Sequence, residues 1–331
     1  MCGQGRFCDV AVVQFRSAAP LSHRPAYPEQ INLTALGSTV SPEELAARLL
    51  ARVRGYGPCA VAFSGGVDSA VVAQAAFLVH GAAAVAVTAV SPSLAAAERE
   101  FAAAQARDIG IRHVELATTE FSRDEYRRNA GDRCYFCKDT LYSLTRTQLA
   151  DLGVEVLVNG ANLDDAGDHR PGMQAATAHG VRSPLLEEGL GKTSVRALAA
   201  WWNLRSADKP AAPCLASRIA YGVEVTEDRV GRVERAEAWI RRVTGIRNLR
   251  VRLEYHELAR IEVLPEDFGF LMAPEVRQRL VDELKSLGFR AVTLDLEGFR
   301  SGNLNGLLVQ LGSGLKHEAG TAPGAAGAEN V

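Results

Sequence analysis

Lysine is scarce in this chain. There are five, Lys138, Lys192, Lys209, Lys285 and Lys316, among 37 basic residues, so arginine is the default cation. Against that background a lysine suggests a position where a compact point charge serves better than a planar fork. Long apolar runs are also lacking. The longest candidate, AAAVAVTAV at 82–90, is far short of the roughly 20 residues of a membrane span and has the length and flanks of a buried strand. The first fifteen residues have neither the basic start nor the extended apolar core of a signal peptide, which predicts a cytoplasmic protein without a membrane partner. Neither sign of charge dominates. The net charge is −2 and the signs are mixed along the chain, so no global field favours a nucleic-acid partner. Six cysteines in 331 residues are too few for a disulfide framework.

What is present is ordinary globular chain, 47% hydrophobic and 23% charged, long enough for two cores. Residues 1–40 show no persistent period and read as a disordered leader; the Gly/Ala-rich residues 313–331 read as a disordered tail. Order is expected from Ser41, a helix N-cap followed by Pro42, acids in the first turn, and Leu45, Leu49 and Val53 at helical spacing. Strands at 59–63, 84–90, 113–116 and 154–159 then alternate with helices at 70–80, 95–109 and 193–202 and a helical C-x-x-C region. This alternation predicts an α/β fold, a parallel doubly wound sheet over residues 41–223. From 224 the rhythm changes to helix 229–243, strands 249–253 and 259–263, helix 274–288 and strand 291–296. That run predicts a smaller α+β domain over 224–312.

Ser64-Gly65-Gly66-Val67-Asp68-Ser69 leaves an apolar strand and opens an apolar helix, the place where α/β sheets bind ligands. The glycines allow close backbone approach to an anion, the helix N-terminus offers unpaired N–H groups, and Ser64 and Ser69 add hydroxyls. Asp68 suits a Mg²⁺ ion or a helix cap. The string differs from G-x-x-x-x-G-K-[ST], which excludes the kinase-like loop. A second segment, VNGANLDDAGDHRPG, sets Gly160, Asn162, Asp164, Asp165 and Asp168 before Arg170 at another strand end, where acids suit Mg²⁺ on a polyphosphate.

Cys134 and Cys137 form a C-x-x-C followed at once by Lys138, and Cys214 stands alone in DKPAAPCLASRIAYG. The pair could be redox-active, half of a zinc site or part of an iron–sulfur site. A structural zinc site wants four ligands, whereas three thiolates with no fourth suit a cluster with one iron left open. Cys59, just before an apolar strand, reads as a small buried hydrophobe. Cys214 lies between prolines in a polar segment, with Lys209 and Arg218 nearby as cations that favour a reactive thiolate.

With SGGVDS, RCYFCK, NLDDAGDHRPG, PCLASRIAYG and VTLDLEGFRSG in that order, the chain resembles the LarE family of ATP-dependent sulfur transferases over about residues 41–311. The resemblance implies a PP-loop ATP pyrophosphatase fold, ATP and Mg²⁺ as cofactors, and a homo-oligomer. It implies adenylation of a carboxylate of pyridinium-3,5-biscarboxylic acid mononucleotide, followed by replacement of AMP with sulfur, in the making of the nickel-pincer cofactor of lactate racemase. Two sulfur sources occur in the family. One branch sacrifices a single cysteine, matching Cys214, and leaves dehydroalanine. The other holds a [4Fe–4S] cluster on three cysteines and delivers a sulfide from its open iron, itself charged by a sulfide donor. The presence of Cys134, Cys137 and Cys214 together points to the second branch. By the same resemblance Ser64 to Ser69, Gly160 and Asp164 bind ATP, and Ser217 and Arg218 serve its phosphates or the adenylate. Arg250 and Arg252, which alternate to one face of a predicted strand, bind the substrate phosphate. Asp295 and Arg300 look site-like without an assigned role. The rival readings are sulfur insertion into tRNA, an amide-forming synthetase, and a nucleotide-binding regulator with a structural zinc site.

Overall fold

The computed structural model describes residues 40–165 and 171–300. The proposed tail, nearly all of the leader, Asp168 and Arg170 lie outside the described residues. The first helix, α1 (Pro42–Arg54), is capped as its sequence predicts. The Ser41 hydroxyl accepts from the Glu44 N–H at 3.2 Å, and the Glu44 carboxylate accepts from the Ser41 N–H at 3.0 Å.

Four strands follow, β1 (Cys59–Ala62), β2 (Val85–Val90), β3 (Arg112–Ala117) and β4 (Val156–Val158). They pair in parallel in the order β3-β2-β1-β4. Between and after them run α2 (Val67–His80), α3 (Ala96–Ile109), α4 (Asp124–Arg127), α5 (Arg133–Thr147) and α6 (Leu149–Leu152), then α7 (Pro171–Ala178), α8 (Pro184–Glu187) and α9 (Lys192–Trp201). Side-chain alternation along β1 sorts the core. Cys59, Val61 and Phe63 pack with Leu49 of α1, Val72 of α2, Ala106 of α3 and Leu198 of α9. Ala60 and Ala62 join Leu141 and Tyr142 of α5 and Ala175 of α7 on the other face. Both faces are covered by helices, as a parallel sheet requires.

A second sheet is formed by β5 (Leu249–Glu254), β6 (Leu258–Val263) and β7 (Ala291–Leu294), antiparallel then parallel. Around it lie α10 (Glu227–Thr244), α11 (Phe268–Met272) and α12 (Pro274–Ser286). Its core joins Val233, Ile240, Val251, Ile261 and Leu284 to Tyr126, Leu215 and Ile219, with Phe136 and Cys137 packed against it. Ile219 also bridges to Leu253, continuing β5 sideways toward the segment that carries Cys214. The architecture is thus α/β, a parallel sheet followed by a small mixed-sheet domain. No helix of the described residues is long and apolar enough to cross a membrane.

Of the boundaries that differ from the sequence expectation, two lie at the site. Helix α2 starts at Val67 rather than 70, because Gly66 takes the N-cap position and Asp68 and Ser69 fall within the first turn. Strand β4 is only three residues long, and at its end Val158 bridges in parallel to Arg182, with the Asn159 N–H donating to the Arg182 carbonyl at 2.9 Å.

Candidate active site

Because the strands are parallel, each strand opens at the same edge of the sheet, and the helix that follows begins there. The phosphate loop leaves β1 at that edge. Gly65 has φ +71°, and a Cβ there would lie 2.9 Å from Ala102 of α3, so only glycine lets the loop lie against that helix. The Ser69 hydroxyl donates to the Gly66 carbonyl at 3.0 Å and accepts from the Ser64 N–H at 3.2 Å, which holds the loop open. From β4, Gly160 lies across the start of α2. A Cβ on it would sit 2.7 Å from the Ser69 nitrogen and 2.9 Å from the Asp68 carbonyl carbon. Fully buried Asn162 then donates to Asp68 Oδ1 at 2.9 Å. Burial pushes the Asp68 carboxyl up, opposed by the Asn162 hydrogen bond and reinforced by the charge of Asp165. Two acids thus converge beside the loop, where a cation would relieve them. Asp164 is used differently: its Oδ2 accepts the Lys192 N–H at 2.5 Å and caps α9.

Helix α5 runs from this same edge back to the start of β4, so Cys134 and Cys137 in its opening turns lie on the phosphate-loop side of the sheet. The Cys214 segment reaches the edge as well. The Leu215 N–H donates to the Ser93 carbonyl, just beyond β2, at 2.9 Å, and the Ser93 hydroxyl meets the Tyr126 hydroxyl at 2.6 Å. Cys134 and Cys214 are exposed and Cys137 is half-buried. The three sulfurs share one electrostatic neighbourhood. Burial first, then Glu120, Cys214 and Cys134, push the Cys137 thiol up to about 12. Lys138, whose Nζ stands 5.9 Å from the centre of the Tyr142 ring, is held above its usual range by Tyr142 and by all three sulfurs, against its burial. Arg133 is likewise raised by Cys214 and Cys134 despite its burial.

Of the cations expected near Cys214, Lys209 is tied to α3, whereas Arg218 stays beside the cysteine and donates to its carbonyl at 3.3 Å. Lys209 pairs with Glu98 at 2.7 Å and stands 3.6 Å over the Phe101 ring. Arg218 donates to buried Glu237 at 3.1 Å and to the Pro213 carbonyl at 2.6 Å, while the Ser217 hydroxyl donates to the Cys214 carbonyl at 2.6 Å. Both therefore shape the loop that presents Cys214. On β5, Arg250 and Arg252 are buried, not solvated. Arg252 forks onto Glu262 at 2.5 and 3.1 Å and reaches the Ser217 carbonyl. Arg250 lies over the Phe299 ring, donates to the Arg300 carbonyl, and has no ion pair with a described carboxylate. Burial and the charges of Arg218 and Arg252 hold its guanidinium below the usual range. Asp295 accepts from Arg260 at 2.5 Å, and Arg300 pairs with Glu297.

Residues 43–128 match the asparagine synthase family, a span that contains the phosphate loop and stops short of Cys134. An uncharacterized protein of Synechocystis is 46% identical over 250 residues, 76% of this chain and 92% of that one. A pyridinium-3,5-bisthiocarboxylic acid mononucleotide synthase of Lactiplantibacillus plantarum is 36% identical over 266 residues, 80% of this chain and 95% of the relative. The chain belongs to the LarE-like family of PP-loop ATP pyrophosphatases. An uncharacterized protein of Methanocaldococcus jannaschii, 28% identical over 179 residues, covers 54% of the chain.

In this LarE-like chain the structure gathers Ser64 to Ser69, Gly160 and Asp68 at one point, and places Cys134, Cys137 and Cys214 in one neighbourhood. Sequence reasoning passed over Asn129, Arg133, Glu120 and Tyr126. Asn129 and Arg133 both precede the C-x-x-C, in NAGDRC, and an asparagine two residues before a glycine was the only local sign.

Proposed function

We propose that the protein activates a carboxylate of pyridinium-3,5-biscarboxylic acid mononucleotide with ATP and replaces the AMP with sulfur, yielding the thiocarboxylate of a nickel-pincer cofactor precursor. The observation that carries this reading is the meeting of the phosphate loop and three cysteines at one edge of the parallel sheet. The synthase activity for which the 36% identical relative is named supports it. An amide-forming synthetase would leave the three sulfurs without a task.

In this reading the loop N–H groups and the hydroxyls of Ser64 and Ser69 hold the ATP phosphates, and Asp68 holds the Mg²⁺ that accompanies them. A substrate carboxylate oxygen attacks the α-phosphorus and pyrophosphate leaves. A sulfur nucleophile then attacks the acyl carbon and AMP leaves with the bonding pair. Arg250, buried without a described carboxylate partner, binds the phosphate of the mononucleotide, and Arg252, held by Glu262, shapes that pocket.

The donor set fits an iron–sulfur cluster in kind and charge: three thiols, with Lys138 and Arg133 to balance their negative charge. Among the described residues no three His, Cys, Asp or Glu groups are gathered tightly enough for a single metal ion. Cys134, Cys137 and Cys214 would hold a [4Fe–4S] cluster, which supplies a transferable sulfide at an iron without a protein ligand. Anaerobic purification with iron and acid-labile sulfide assays, repeated on Cys134→Ala, Cys137→Ala and Cys214→Ala, tests the ligand set. Loss of iron in each variant is expected. A protein that stays iron-free after reconstitution, with Cys214 converted to dehydroalanine on turnover, would replace the cluster with the sacrificial route. The reaction itself is tested by mass spectrometry of the mononucleotide after incubation with MgATP. A sulfur-for-oxygen product is expected; pyrophosphate release without it would sink the reading.

A further inference from the structure

Asn129 is fully buried and has φ +55°, the left-handed region that an asparagine tolerates better than most residues. Its side chain joins a distant piece of chain to the helix that begins four residues later. Nδ2 donates to the carbonyls of Ile219, Ala220 and Val223 at 3.3, 2.9 and 3.2 Å. Oδ1 accepts from Arg133 Nη1 at 2.5 Å. That polarity admits one amide orientation, since three acceptors face the nitrogen and a donor faces the oxygen. The backbone closes the same seam: Gly222 N–H donates to the Asn129 carbonyl at 3.1 Å and Val225 N–H to the Arg127 carbonyl at 2.7 Å.

Arg133 opens the helix that bears Cys134 and Cys137, and residues 219–223 lie five to nine positions after Cys214. The guanidinium is 5% exposed and has no ion pair with a described carboxylate. A buried charge held only by a neutral amide is costly unless an anion completes it, and the ionisable groups that act on it are Cys214, Cys134, Tyr126 and Tyr221.

We propose that Asn129 and Arg133 form one positioning unit, which ties the Cys134–Cys137 helix to the Cys214 segment and buries a permanent cation in the first turn of the helix that bears two of the sulfurs. Neither residue reacts. The unit sets the separation of the three sulfurs and gives their negative charge, as thiolates or as a bound sulfur anion, a fixed counterpart. The purpose rests on the sulfur-delivery reading above; the placement does not.

The test uses the whole reduced protein without added metal, kept anaerobic. Dibromobimane, a short reagent that joins two thiols, is added, and the peptides are analysed by mass spectrometry. The ratio of Cys214 bridged to Cys134 or Cys137 over Cys214 singly modified reads placement alone. In wild type the bridge forms. In Arg133→Gln the ratio falls about tenfold, as expected for one lost charge-assisted hydrogen bond. Arg133→Lys, which keeps a charged donor, recovers much of it. Asn129→Gly, whose backbone accepts the same φ without strain, falls likewise and carries the test should Arg133→Gln not fold. Thermal melts run alongside show that the folded state persists. An unchanged ratio in Arg133→Gln and Asn129→Gly, or no bridge in wild type, overturns the proposal. Should the ratio fall as expected in a protein that inserts no sulfur, the placement stands and the sulfur-delivery reading falls.

Discussion

At Gly160 even a methyl group in place of a hydrogen has no room without displacing backbone. The Cβ of an alanine there would meet the backbone of Asp68 and Ser69, neither of which is the movable end of a side chain. Gly160→Ala is expected to cost about 1–3 kcal/mol, as overpacking does, and to lower ATP-dependent pyrophosphate release about tenfold by displacing the loop (1.4 kcal/mol per tenfold). A melt and a pyrophosphate assay check both; unchanged values would mean that the strand end does not set the loop. The two β5 arginines should separate just as clearly. Arg252→Met leaves Glu262, 0% exposed, without its bidentate partner and held by Arg260 alone at 2.9 Å, and is expected to destabilise by about 1.5–3 kcal/mol. Arg250→Met breaks no described ion pair, so its effect should fall on the KM for the mononucleotide instead. A denaturation series beside steady-state kinetics distinguishes them, and equal loss of stability in both would contradict the assignment.

At the scale of elements, short helix α8 is tied down by charge. Glu187 accepts two hydrogen bonds from Arg182, at 2.9 and 2.6 Å, and one from the Tyr56 hydroxyl at 2.7 Å, just beyond α1. These bonds, Arg182 foremost and against the effect of burial, hold the Glu187 carboxyl down to about 2. A depressed carboxylate stabilises the fold above its unfolded value, about 4.5, and loses that contribution as pH falls toward 2. Melting temperature should therefore decline between those limits, and Glu187→Gln should flatten part of the decline. Parallel acid slopes for the two proteins would refute the assignment. Elements of this kind were only partly legible in the sequence. The Ser41 box and the β-α alternation were readable because cap and period are local. The start of α2 was missed because Asp68 and Ser69, residues of loops by propensity, are drawn into a helical turn by the Gly66 cap. Burial of Arg250 and Arg252 could not be read either, since Glu262 and Phe299 come from other parts of the chain.

For the whole molecule, the sequence suggested a division near residue 223, where the rhythm changes. The packing crosses that point: Tyr126, Leu215 and Ile219 are buried in the same cluster as Ile240 and Leu284. The two sheets are therefore expected to melt in one cooperative transition. Calorimetry with two well-separated peaks would show two independent units. The candidate site followed the same pattern of legibility. Its motifs could be read as strings, but the seam at Asn129 joins residues about ninety positions apart, and no local pattern announces it.

Helix α3 is a wall shared by two rooms. Ala102 presses on Gly65 of the phosphate loop, and Phe101 and Glu98, beside it and one turn before, grip Lys209, five residues ahead of Cys214. A bulkier residue at 102 would push on both neighbours at once. Such an allele would be filed as a nucleotide defect by one laboratory and as a sulfur defect by another, according to which assay was run first, although one displaced helix lay behind both.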